Sequence, residues 1–107
     1  MWILIAGPYS APTAEQRKQN LQALNAAALQ VFRKGHIPIV GVNAALPLVG
    51  EDTGDPDCYD DMMRISLALT ERCDGVLRIG RSPGADREVQ AMETQGKAVF
   101  ETLDQIA

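Results

Sequence analysis

Residues 75–96, GVLRIGRSPGADREVQAMETQG, hold a complete strand–turn–helix unit. GVLRI reads as a buried strand, GRSPG as a turn rich in small residues, and GADREVQAMETQG as a helix with Gly96 just past its end. Ser82 or Gly84 suits the helix cap, and Pro83 a turn position before it. The short apolar stretch AVFE, residues 98–101, then supplies a further strand, followed by a helical turn in TLDQIA. A strand, a helix and another strand in this order form the repeating unit of a parallel sheet.

The same alternation appears upstream. WILIA, residues 2–6, is a continuous apolar run of the kind found in strands buried on both faces. Thr13 and Gln16 have capping-box spacing, and Leu21, Leu24, Ala28 and Val31 recur at helical intervals up to Lys34 and Gly35. HIPIVGV, from His36, is the next strand candidate, and Pro38 weakens it or places it at an edge. Residues 44–56, AALPLVGEDTGDP, read as a long loop that covers a site or an interface. DCYDDMMRISLALTERC follows as a helix opened by Asp57, with Met62, Met63, Ile65 and Leu69 inward. The pattern predicts one α/β domain over residues 1–107. Its expected form is a small Rossmann-like or flavodoxin-like three-layer fold with a mostly parallel sheet of four or five strands.

Composition narrows the partners. With 14 acidic against 10 basic residues the net charge is −4, which argues against a nucleic-acid-binding face. MWILIAGPYS is too short and uncharged for a signal peptide, and no run is long enough to span a bilayer, so the expected location is the cytoplasm without membrane attachment. Cys58 and Cys73 lack a metal-type spacing and are too few for a disulfide framework; both are expected as reduced thiols. No His or Cys cluster points to a metal, and no motif calls for a cofactor.

In open parallel sheets ligands bind beyond the carboxyl ends of the strands, where the strand order switches. The segments after the first and third strands therefore matter most. These are Gly7, Pro8, Tyr9 and Ser10, and the run from Gly80 through Ser82, Gly84 and Ala85 to Glu88. Small residues there let backbone amides approach a ligand, and a helix N-terminus favours an anion such as phosphate. Arg78, Arg81 and Arg87 are placed to add charge.

IAGPYS, Asn20 in the first helix, CDGVLRI, SPGADREVQAM and GKAVF, in that order over nearly the whole chain, resemble the nucleoside 2-deoxyribosyltransferase-like superfamily. The resemblance is closest to its small branch of deoxynucleoside 5′-monophosphate N-glycosidases and uncharacterised phage and bacterial domains. It implies a usually oligomeric protein that attacks the anomeric carbon of a nucleoside or nucleotide with a glutamate; the apolar residues of AALPLVG, with no evident core to join, separately point to self-association as a dimer or tetramer. Glu88 matches that nucleophile and Tyr9 the tyrosine that orients it. Ser82 matches the phosphate-binding serine of the nucleotide hydrolases, where the nucleoside transferases carry an aspartate. Asn20 matches a contact near the site. Ser66 falls where the family places a second acidic residue that helps to protonate the leaving base, and a serine is a poor acid at neutral pH. Asp60 or Asp61, about a turn earlier, is an alternative donor.

Plainer readings stand beside these. Glu88 also fits a solvated residue near a helix start, Tyr9 a packing residue, and Ser82 a helix cap. His36 fits a surface or capping residue, Asp74 a structural role at the sheet end opposite the ligand, and Met62 and Met63 core filling. The expected activity is an N-glycosidic hydrolase or transferase acting on a nucleotide or nucleoside; the contrasting expectation is a nucleotide-binding module without catalysis.

Overall fold

The computed structural model describes residues 1–50 and 56–107. Along the chain these form β1 (Trp2–Ala6), α1 (Ala14–Arg33), β2 (Ile37–Val40), α2 (Gly41–Val49), α3 (Pro56–Thr70), β3 (Gly75–Arg78), α4 (Pro83–Thr94), β4 (Ala98–Phe100) and a 3₁₀ turn at Leu103–Gln105. The four strands pair in the order β2-β1-β3-β4, and every pairing is parallel. The α/β class and the parallel sheet are as the alternation predicts.

Apolar runs fill β1 because both sheet faces are covered. Ile3, Ile5 and Leu77 pack with Leu24 and Val31 of α1, Ala45 of α2 and Met62 of α3. Leu4, Ala6 and Val76 face the other way, onto Ala85, Val89 and Met92 of α4. This alternation within single strands gives three layers. Ile3, Leu4, Leu24, Val31, Val76 and Met92 are fully buried, and each such side chain stabilises the fold by about 1.5–3 kcal/mol.

Helix ends follow their sequence signals. The Thr13 hydroxyl accepts from the Gln16 amide, capping α1. Gly35 and Gly96 take positive φ just after α1 and α4, and the Lys97 amide reaches back to the Met92 carbonyl, closing the end of α4. Asp74, at the sheet end away from the switch point, accepts from the Trp2 amide at 2.7 Å.

Two expectations are corrected. Residues 44–49 are not loop but the greater part of α2. Val42, Ala45, Leu46 and Val49 recur at helical spacing and pack on the core, and that outweighs Pro47, whose missing N–H removes one bond from a short helix. Ala45, Leu46 and Val49 of this segment therefore have a core to join, whereas Leu48 is largely exposed, at 77%. The rest of the proposed loop, residues 51–55, lies outside the described residues. The third helix opens at Pro56 rather than Asp57.

β2 is an edge strand, as Pro38 predicts. The Ile37 amide donates to Met1 on the inner side. Backbone groups alternate sides along a strand, so the nitrogen of Pro38 faces the outer edge, where its missing hydrogen breaks no ladder bond.

Candidate active site

The strand order reverses between β1 and β3, and a cavity of about 200 Å³ opens there. Its walls come from three places. The β1–α1 loop gives Gly7, Tyr9 and Ser10; α2 and α3 give Val42, Tyr59, Met62, Met63 and Ser66; and the start of α4 gives Ser82, Pro83, Gly84, Ala85 and Glu88.

Glu88 lies on the buried stripe of α4 that runs Ala85, Glu88, Val89, Met92. A carboxylate thus takes a place that helical periodicity reserves for apolar side chains. It is 8% exposed, and burial lifts its pKa from about 4.5 to about 8. Glu88 is the sole ionisable carboxylate among the described cavity residues. None of the other described residues lining the cavity carries an opposite charge, and the shift comes from burial.

Ser82 caps α4. Its Oγ accepts from the Ala85 amide at 3.1 Å, which leaves the hydroxyl hydrogen to donate elsewhere. Gly84 sits in the first turn, where amides lack acceptors within the helix. The cap and the cavity wall are therefore one residue, and the two readings of Ser82 are compatible.

The loop bearing Tyr9 is held by α1. The Asn20 amide nitrogen donates to the Tyr9 carbonyl at 2.9 Å, and Asn20 Oδ1 accepts from Gln16. Arg17 donates to the Ala11 carbonyl at 2.9 Å. Asn20 thus acts on the backbone of the loop and does not line the cavity. Tyr9 itself is buried and also borders a second, more open groove of about 440 Å³ with Arg17, Lys18, Leu21 and Leu46.

Pro8 and Gly80 do not line the cavity either. A Cβ at Gly80 would come 3.0 Å from Pro8 Cδ, and one at Gly7 would come 2.6 Å from Ile79 Cγ1. The small residues after β1 and β3 let these two loops cross closely, a requirement the sequence reading assigned to the ligand. Ser66 does line the cavity, pressed against α2: a Cβ at Gly41 would lie 2.0 Å from its Oγ.

The arginines expected to add charge are elsewhere. Arg78 is bound to Glu101, at 2.5 and 3.2 Å, and to Asp86 at 3.0 Å. Arg81 is exposed near Asp86, and Arg87 borders a separate shallow depression. Asp60 and Asp61 are exposed and outside the cavity, so neither is placed to protonate a leaving group within the same chain. Among the described residues no three His, Cys, Asp or Glu side chains gather as a metal would require, and no helix is long and apolar enough to cross a membrane. The sequence reading missed Tyr59 and Val42, and it gave Met62 and Met63 a core role only. Both tyrosines of the chain line this cavity.

Compared with protein-family models and with curated proteins, the chain matches none.

Proposed function

We propose that this protein breaks the N-glycosidic bond of a (deoxy)nucleoside 5′-monophosphate or related nucleoside, by hydrolysis or by transfer, with Glu88 as nucleophile. The observation that carries the reading is a buried carboxyl group on an otherwise core-facing stripe, opening into a cavity at the switch point of a parallel sheet.

In the reaction a Glu88 carboxylate oxygen bonds to the anomeric carbon as the carbon–nitrogen bond breaks. The bonding pair leaves with the base, which takes a proton. Water, or a second base in transfer, then displaces Glu88 and restores the carboxylate. Tyr9 stands in the same cavity as Glu88 and would orient it. Ser82 and the first turn of α4 would hold the phosphate, since an uncapped amide and a hydroxyl donor meet there. A cavity of about 200 Å³ encloses part of a nucleotide, so the remainder lies at its mouth.

Two features slow this chemistry. A carboxyl group with a pKa of about 8 is mostly protonated at pH 7. With Ser66 in the wall and Asp60 and Asp61 outside it, the proton for the base comes from water or a neighbouring subunit. The same two features favour the second reading, a nucleotide-binding module without turnover. We also propose self-association, since Trp2, Leu29, Phe32 and Leu48 each leave about half or more of their surface exposed.

Incubation with a panel of nucleoside and deoxynucleoside 5′-monophosphates, monitored for free base, tests the reading. Base release is expected from at least one. Binding of one with no release from any replaces the enzyme with the binding module, and neither binding nor release removes both.

A further inference from the structure

We propose that Tyr59 is a phosphate-selecting residue of the cavity, its hydroxyl donating to the anionic oxygen that Ser82 and Gly84 receive. The inference rests on the nucleotide reading above and names the side chain that gives it phosphate selectivity.

The first ground is position. Tyr59 stands on α3, across the cavity from the start of α4. A Cβ at Gly84 would lie 3.7 Å from the Tyr59 hydroxyl oxygen and 3.1 Å from Met63 Sδ. The hydroxyl therefore faces the first turn of α4, and the absent side chain at Gly84 keeps a gap there that a single methyl would fill. A group seated on the Gly84 amide is within reach of both.

The second ground is what the other donors can do. No Lys or Arg is among the described residues lining the cavity. Arg78 is committed to Glu101 and Asp86, while Arg81 and Arg87 point elsewhere. Ser82 Oγ already accepts from Ala85, so it contributes one hydrogen. Pro83 has no N–H, which leaves Gly84 as the first free-turn amide of α4. A phosphate has three terminal oxygens, and a serine hydroxyl with one amide leaves it under-bonded. Tyr59 supplies a third donor from the opposite wall, with its ring available to cover the sugar. The resulting cradle is made of neutral donors, so binding should depend only weakly on salt.

Calorimetric titration of the parent and of Tyr59→Phe tests this. The probes are the common deoxynucleoside 5′-monophosphates, the matching deoxynucleosides and inorganic phosphate. Loss of one hydrogen bond to a charged acceptor should weaken monophosphate binding about tenfold or more, with nucleoside affinity and the unliganded melting temperature unchanged. A parent that prefers the monophosphates and a Tyr59→Phe variant that keeps the full preference would overturn the role of Tyr59 alone. A parent with no preference for phosphate would overturn this inference and the phosphate part of the nucleotide reading together. If Tyr59→Phe folds poorly, Gly84→Ala is the second variant, since its methyl enters the space before the tyrosine hydroxyl. It should weaken monophosphate binding by a similar factor, and unchanged binding overturns the proposal.

Discussion

Replacing Glu88 by Gln should make the protein more stable while ending base release. The argument is one of proton linkage. Unfolded, the carboxyl group ionises near 4.5; folded, burial raises that to about 8. Between these values the native state holds a proton that the unfolded state has released, so stability is greatest below about pH 4.5 and falls as the pH rises toward 8. Each pH unit in the window removes about 1.4 kcal/mol. The loss is about 1 kcal/mol at pH 5 and about 3 kcal/mol at pH 7. Glutamine has nearly the same shape and stays neutral, so it avoids the loss. A gain of about 3 kcal/mol corresponds to about 10 °C or more in melting temperature for a domain of this size. Thermal unfolding of parent and variant at pH 5 and pH 7 measures it: the two should lie close together at pH 5 and separate at pH 7. Coincident melting curves at both values would refute the reasoning, because Glu88 would then be solvated and unstrained. In the parent, single-turnover base release should rise with pH up to about 8 as the carboxylate forms. A variant that releases base as fast as the parent would remove Glu88 as nucleophile, whatever its melting temperature.

Tyr9→Phe should slow base release less than Glu88→Gln does, since it removes an orienting group and leaves the attacking one; equal losses in single-turnover assays would put Tyr9 in the chemistry itself. Ser82→Asp should keep the helix cap but repel phosphate, so the heat stabilisation given by monophosphates should shrink toward that given by nucleosides. Gly41→Ala forces a methyl into the space of the Ser66 hydroxyl and should destabilise the fold by about 1–3 kcal/mol in urea unfolding. Light scattering at micromolar concentration should give the mass of a dimer or tetramer, and a monomer would remove the self-association proposal.

The sheet was legible because strands buried on both faces read as plain apolar runs, and WILIA and GVLRI are such runs. α2 was hidden because Pro47 and Gly50 signal a turn, while the deciding fact, a core waiting for Val42, Ala45 and Leu46, is tertiary. Glu88 could have been read more firmly. Ala85, Val89 and Met92 set the inward stripe, and Glu88 falls on it, which separates a buried carboxylate from a solvated one. Gly80 is expected at the ligand from its place after β3, and Asn20 from the resemblance, and neither ground distinguishes touching a ligand from shaping the loops around it. Their hydrogen bonds and close contacts do. Tyr59 was missed because its partner across the cavity, Gly84, lies 25 positions further along the chain.

Pro38 on the outer edge of β2 bears on how copies of this protein can meet. At the other side of the sheet β4 has only three residues. One border thus lacks a hydrogen where an incoming strand would need it, and the other is too short to template a long one. Both features disfavour strand addition at the borders of the sheet, even though Trp2 and Ile37 sit exposed side by side near the β2 border. The self-association proposed above would then run through exposed side chains such as Trp2, Phe32 and Leu48 rather than through added strands. Valine at position 38 would restore the missing hydrogen and remove that obstacle to pairing at the border.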